Sequence, residues 1–580
     1  TVSGDIPDGP FEAGDPYDAF GNGAMGILAQ SIGGGGGNGG YSLSGTMTYE
    51  KPEARQPLNI ALAVGGAGGD GNHGGAVTVE NAGKIDTYEH DARGIYAQSI
   101  GGGGGNGGGS RALALDVNPK DWLPKFDSVK GFLADLVKTW YVAVGGAGGG
   151  ASDGGTVTVT NAGDITTRGD GSHGVFAQSI GGGGGVGGDG AHGIPLDFLK
   201  DYAPYVEAAL ELTPIKSMED MQIVVGGSGG NSGHGAAVRV DNKADIVTYG
   251  DNSSAIVAQS IGGGGGIAEL GKGGGSGLGL VGKVAIGGAG GAAGNGGNVT
   301  VLHKGWIETF GDAAYGIFGQ SVGGGGGLAG DVSRGVSNFG IGLGFAQTGG
   351  GGGDGGDVSV QSEGDITTHG TGANGIFAQS VGGGGGIAGD VGIGIGYAGS
   401  TGADGSAGAV SVVHTGTITT LGDPSHGIFA QSAGGKDYGG SVDVTLNGVI
   451  AVYGADSSGI VAQSGGDKGA GNISVTLLDG SLVQGGPGAG VGVHFDGGAD
   501  NTLANRGSIS ALSGTAILGS VGNDLVTNNG LVTGSVLLGA GANAFDNRVG
   551  ARFDSGARIE LGAGNTLTNN GILSPGGIGT

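Results

Sequence analysis

The residues of this chain that could do chemistry are few and scattered. His73, His173, His234 and His426 each precede a glycine, and no two of the ten histidines stand in an H-x-x-x-H or H-E-x-x-H pair, so zinc chemistry lacks its ligand set. Asp70, Asp153, Asp354 and Asp357 sit in Gly-rich turns and carry the oxygen that calcium takes. A lone turn Asp is ordinarily an Asx-turn residue, and the tandem nonapeptide of calcium-binding solenoids is missing. Structural calcium is therefore the one cofactor reading left open, and otherwise none is expected. Gly266 to Lys272 approaches a phosphate loop, but Gly273 stands where Ser or Thr must hold magnesium. Gly227-Ser228-Gly229-Gly230 lies in a glycine run rather than at a nucleophile elbow. Arg168-Gly169-Asp170 spells an integrin tripeptide, yet its Gly-Asp returns as Gly250-Asp251, Gly311-Asp312 and Gly422-Asp423 after Tyr249, Phe310 and Leu421, which is turn chemistry. Polysaccharide cleavage needs clustered carboxylates, and the most acidic recurring position reads Lys84, Asp164, Asp245, Trp306, Asp365, Thr417, Val449. The chain reads as a protein that is not an enzyme.

Composition narrows the class further. Of 580 residues 154 are Gly, yet 37% are hydrophobic, too many for a disordered chain, and with 13 Pro and no three-residue glycine period it is not collagen. Acidic residues outnumber basic ones 51 to 24, for a net charge of −27, which excludes nucleic acid as a partner. Cysteine is absent, so no disulfide framework is available. No apolar stretch is long enough for a membrane helix, and the chain opens on a polar segment, which reads as a mature form or a fragment.

The elements that position these residues come from a repeat. Gly-Ile-x-Ala-Gln-Ser returns, with small changes, around Gln30, Gln98, Gln178, Gln259, Gln320, Gln379, Gln431 and Gln463. From the second copy onward, Val77, Val157, Val238, Val299, Val358, Val410 and Val442 share one position. Ile85, Ile165, Ile246, Ile307, Ile366, Ile418 and Ile450 share another, eight residues later. The unit reads as three short strands separated by Gly, Asn and Asp turns. One such unit cannot bury its apolar side chains, so units must stack as the coils of a parallel β-helix. Length varies only after Ala-Gln-Ser, which places the insertions on one edge.

Two insertions, about 112–141 and 194–221, carry apolar residues at helical spacing: Leu123, Phe126, Leu133, Leu136, Val137 and Trp140, then Leu196, Leu199, Tyr202, Val206 and Leu210. A two-helix cover over one flank is expected there. Six repeats follow Ala-Gln-Ser with Ile or Val and five glycines, as in Gly181 to Gly185, and equal length at equal place predicts ordered, close-packed backbone. In the strand before them, Tyr96, Gln98, Phe176, Gln178, Phe318, Gln320, Phe377 and Gln379 face away from the Ile and Ala positions, so both faces carry apolar residues and both should be covered. Two covers are open: the glycine runs, with Gln bonding their amides, or a second molecule through self-association.

Beyond Gln463 the pattern turns Asn-rich: Asn501 to Ile509, Asn523 to Gly530, and Asn565 to Gly577 with its Leu573-Ser574-Pro575-Gly576. These coils, with the Asn-Ala-Gly-x-Ile and Gly-rich units before them, resemble the passenger domains of classical Gram-negative autotransporters. The resemblance implies an all-β, right-handed parallel β-helix (solenoid) with Gly-rich loops and small helical insertions on one edge. It divides into residues 1–464, which hold the eight repeats, and residues 465–580, which lead toward a translocator barrel not included in the chain. It also implies export to the cell surface and a structural or adhesive role. The expected partners are the chain itself or neighbouring cells, a host or abiotic surface, and its own barrel in the outer membrane. A carbohydrate-binding or carbohydrate-cleaving β-helix is the alternative.

Overall fold

The computed structural model describes residues 22–49, 58–117, 138–192, 221–269, 271–273, 282–334, 342–388, 395–397 and 400–576. Every regular element among the described residues is a strand. Thirty-two of them form one hydrogen-bonded parallel sheet that winds into a β-helix, as the period-two pattern predicts.

One coil shows the plan. Val77–Asn81, Ile85–Thr87 and Ile95–Ile100 each lie parallel and in register on their counterparts in the next coil, Val157–Asn161, Ile165–Thr167 and Val175–Ile180. The alternate residues Val77, Val79, Ile85, Ile95 and Ala97 point inward with their equivalents to form one core along the rod. Each fully buried Ile contributes roughly 2–3 kcal/mol by leaving water. The Asn-rich coils continue the same stack, for Ile460–Gly465 pairs with Val493–Gly497.

Polar side chains inside the coil tie its corners. Asn81 donates to Asn161, and Asn161 to Asn242, at 2.7 and 2.6 Å, while each also bonds the carbonyl two residues on. The ladder resumes as Asn505, Asn528, Asn547 and Asn569. Thr87, Thr167, Thr248, Thr309, Thr368 and Thr420 are buried and donate to the carbonyl five residues later, closing the Gly-Asp turn. Asn252 and Ala313 in that turn have φ of 55° and 54°, a left-handed position held by the stack around it.

The glycine runs are ordered although they are not strands. Gly36, Gly104, Gly184, Gly265 and Gly326 each donate to the carbonyl of a glycine in the next coil at 2.8–3.0 Å, and bonds recur every third residue. This is the polyglycine form of the three-residue polyproline II helix. A second run leads back to the core in each of the six Gly-rich coils, and the outgoing Gly105 and Gly185 donate across to Gly69 and Gly149 at 2.9 and 3.0 Å. The two runs make a two-layered slab beside the β-helix.

At the far edge of the slab stand two further parallel sheets, of five and six strands. They correct the helical expectation at its borders. Ser110–Val117 and Lys138–Val144 are strands, so Trp140 lies on a strand with its ring exposed, and Met221–Val225 is another strand. The rest of both expected helices, 118–137 and 194–220, lies outside the described residues.

Candidate functional site

The third strand of each coil ends where the outgoing glycine run begins, and both show their outer side on the same flank. Strand alternation turns Tyr96, Gln98 and Ile100 outward, and the three-residue period then turns out Gly103 and Asn106. Stacking multiplies these into columns. The first holds Tyr96, Phe176, Val257, Phe318, Phe377 and Phe429, the second the glutamines, and the third Ile100, Ile180, Ile261, Val322 and Val381. The fourth is all glycine: Gly35, Gly103, Gly183, Gly264, Gly325 and Gly384. The fifth is Asn38, Asn106, Val186, Ile267, Leu328 and Ile387, with Ile387 65% exposed. No charged residue occurs in these columns through the six Gly-rich coils; in the next two coils Lys436, Asp467 and Lys468 stand where the glycine runs were, and Asp496 follows Gln463.

The rings of the first column stack on one another. Phe318 to Phe377 and Phe377 to Phe429 have centroids 5.1 Å apart and planes within 3°. Tyr96 and Phe176 stand 5.3 Å apart, with the Arg93 guanidinium 5.0 and 5.1 Å from their centres. Burial pushes the Tyr96 phenol up, against the opposing effect of Arg93. The glutamines form a ladder in which Gln98 donates to Gln178 at 2.7 Å and Gln178 to Gln259 at 2.6 Å, and Gln463 ends it on Asp496 at 2.7 Å. Gln320 donates to Gln379 at 2.5 Å. The amides therefore bond each other and not the glycine runs, which pack against one another. Phe176, Phe318 and Phe377 stay half-exposed.

The opposite flank differs in kind. Outward positions of the returning run form the column His73, Asp153, His234, Asn295 and Asp354, and each accepts a backbone N–H from the next coil, at 3.2, 2.7, 2.8, 2.9 and 2.8 Å. Asp70 accepts from Gly150 and Asp357 from Ala409 in the same way. All four aspartates with a calcium reading are thus occupied as stitches between coils, and among the described residues no three metal-ligating side chains gather at one point. Sequence reasoning missed this use, although one position alternating among His, Asp and Asn is the signal of an acceptor column. His173 and His426 accept likewise from Ser254 and Ser458. Burial, with help from Arg93, pushes His173 down to about 4.

The remaining candidates have structural partners too. The Arg168 guanidinium is held between the rings of Tyr88 and Tyr249, 4.9 and 5.6 Å from their centres, and lies 3.5 Å from Asp86. Asp170 accepts the N–H of Asp251 at 2.9 Å. In the acidic column, Asp164 accepts from Asp245, Asp245 from Trp306 and Asp365 from Thr417. Inside the rod, His303, Ser362 and His414 interrupt the Asn ladder. All three are buried, and neither His303 Nε2 nor Ser362 Oγ has a hydrogen-bond partner. Burial pushes both histidines down to about 4.

Comparison with protein-family models, curated proteins and solved structures finds no match to this chain.

Proposed function

We propose that this chain is a surface-displayed structural or adhesive passenger of the autotransporter type, working through its flat uncharged flank by self-association or by attachment to a surface. The carrying observation is the partition of charge. The chain has a net charge of −27, yet through six successive coils, from the strand Ile27–Ile32 to the strand Ile376–Val381, the columns of this flank contain no charged side chain, and Arg93 beside them lies over the rings of Tyr96 and Phe176. A face that is apolar and uncharged on an otherwise acidic rod is the surface at which a partner meets least desolvation and repulsion. Its repetition makes many weak contacts act together.

The resemblance of the Asn-rich tail supports export through the outer membrane. The carbohydrate alternative gains nothing from the aromatic column, because stacked rings spend their faces on each other and offer only edges. The test is sedimentation and light scattering of the purified chain across salt and concentration, beside attachment of displaying cells to surfaces. Association or attachment that strengthens with salt is expected. A monomeric rod up to tens of micromolar that also fails to attach would overturn the reading.

A further inference from the structure

Within the uncharged flank, the glycine column Gly35, Gly103, Gly183, Gly264, Gly325 and Gly384 is not required by the fold of one chain. Elsewhere in the runs a Cβ would strike backbone: at Gly182 it would come within 2.2 Å of the Gly102 carbonyl oxygen, and at Gly184 within 1.8 Å of that of Gly230. In the outward column nothing lies nearer than 3.4 Å at Gly103, 3.7 Å at Gly183 and Gly264, or 4.0 Å at Gly325. None of these glycines has a positive φ, so backbone conformation does not demand glycine either. Outward positions of the same runs do accept side chains, because three residues on the chain places Val186, Ile267, Leu328 and Ile387. Glycine recurs through six coils at a site where the molecule itself has room for more.

We infer that this space is filled by a second copy of the chain, applied face to face, with the ridge Val186, Ile267, Leu328, Ile387 of each copy seated in the glycine trough of the other. The inference rests on the reading of this flank as the working surface. Ridge and trough are adjacent columns, the trough six glycines long and the ridge apolar through the last four of those coils, with Asn38 and Asn106 in the first two, and each is one side chain in relief, so the face is self-complementary. Symmetry then fixes the orientation. A two-fold axis parallel to the rod sets each ridge over the partner's trough at the same height, which is an isologous contact. An axis across the rod would set ridge on ridge. The two rods therefore point the same way, as neighbours displayed from one surface do.

The area is sufficient. About an axis between trough and ridge, six coils at about 4.8 Å across about nine residues, from the Ile column to the column just beyond the ridge, present about 800 Å² per copy, the usual share of a stable interface. Repulsion between two acidic rods is screened beyond about 8 Å at physiological salt.

The experiment uses the purified chain. Gly264→Leu with Gly325→Leu fills the trough where one chain has room, and should leave the melting curve in place while weakening association at least tenfold. Ala292→Leu, at an exposed position on the opposite flank, should change neither. Because the chain has no cysteine, a mixture of Gly325→Cys and Leu328→Cys chains should form the mixed disulfide faster than either chain forms its own. Association that survives trough filling, or absence of the favoured mixed disulfide, overturns the pairing and leaves self-association through another face. A chain monomeric throughout overturns the pairing and leaves only attachment to a foreign surface. If the double Leu variant does not fold, the disulfide comparison alone decides.

Discussion

The β-helical triangle and the glycine slab are parts of the same coil, joined within a few residues, and they are held together in opposite ways. In the triangle Ile246, Val240 and Ala258 fill a core with side chains, and the backbone ladder follows from their packing. In the slab side chains are excluded and backbone meets backbone, with hydrogen bonds in three directions every three residues. The difference teaches that an ordered layer needs no hydrophobic core of its own if it grows from one. Glycine's entropic cost is about 0.5–1 kcal/mol per residue relative to Ala, and here it is offset by bonds that no other residue leaves room to make.

The largest expected effect separates three neighbouring glycines. Gly182→Ala and Gly184→Ala each drive a Cβ into a rigid carbonyl, and each should lower stability by several kcal/mol or prevent folding. Gly183→Ala, between them, meets nothing nearer than 3.7 Å and should stay within about 0.5 kcal/mol of the parent. Urea midpoints and amide hydrogen exchange across the slab measure both. Equal effects at all three positions would show that the runs are not a three-residue lattice.

In the triangle the rule inverts. Ile246→Ala removes a fully buried side chain from between two coils and should cost about 2–5 kcal/mol in the same denaturation experiment. Val186→Ala, on the slab's outer face, should cost under about 0.5 kcal/mol because it leaves no cavity.

The third contrast lies along one column of the triangle. Asn81, Asn161 and Asn242 bond one another and Asn242 bonds on to His303 Nδ1 at 2.9 Å, whereas His303 Nε2 and Ser362 Oγ find no partner, and burial holds the imidazoles of His303 and His414 neutral, down to about 4. In the unfolded chain a histidine titrates near 6.5, so between about pH 6.5 and 4 the unfolded state binds more protons. Stability contributed by these groups is complete above about pH 6.5 and is lost as pH falls toward 4, by on the order of a few kcal/mol for the pair. His303→Asn, which keeps an acceptor for the bond that Asn242 makes to His303 Nδ1 at 2.9 Å and removes a buried imidazole, should reduce that acid loss. Melting temperature followed from pH 7.5 to 4.5 in parent and variant checks it, and parallel curves would refute the assignment.

How much of this was readable beforehand follows the same division. Val77, Ile85 and the Gln column repeat with strand periodicity, so the coils, their register and the outward set Tyr96, Gln98, Phe176 and Gln178 could be placed from residue types alone. The slab was only half legible. Equal glycine runs announced order, but their period of three shows only in single exceptions such as Asn106, Val186 and Ile267, and glycine has no side chain to mark a face. Trp140 misled because apolar residues three and four apart in Leu133, Leu136, Val137 and Trp140 mimic a helix, while Trp140 itself belongs to the strand Lys138–Val144. The acceptor columns were hidden because His73, Asp153 and Asn295 act on another coil's backbone, a partner that no local pattern names.

The smallest effect compares the Asn-rich coils with the Gly-rich ones, and it turns on Asp524. This carboxylate stands in an inner column between Asn501 and Asn543, accepts one bond from Asn501 at 2.8 Å, and leaves Oδ2 buried without a partner. Burial pushes it up to about 6, although the bond from Asn501 pulls the other way. Between about pH 4 and 6 the folded chain therefore keeps a proton that the unfolded chain has released, so stability falls as pH rises through that window and stays lower above it. Asp524→Asn removes the charge, keeps an acceptor for Asn501, and supplies a donor beside the Asn501 Oδ1 that also lacks a partner. The variant should gain on the order of 1 kcal/mol at pH 7 and nothing at pH 4, read as a urea midpoint that rises only at the higher pH. A gain of equal size at both values would mean that the amide acts by shape rather than by charge. A loss at pH 7 would mean that the carboxylate has a second partner in solution, and the Asn-rich coils would then depend on an ion where the Gly-rich coils depend on none.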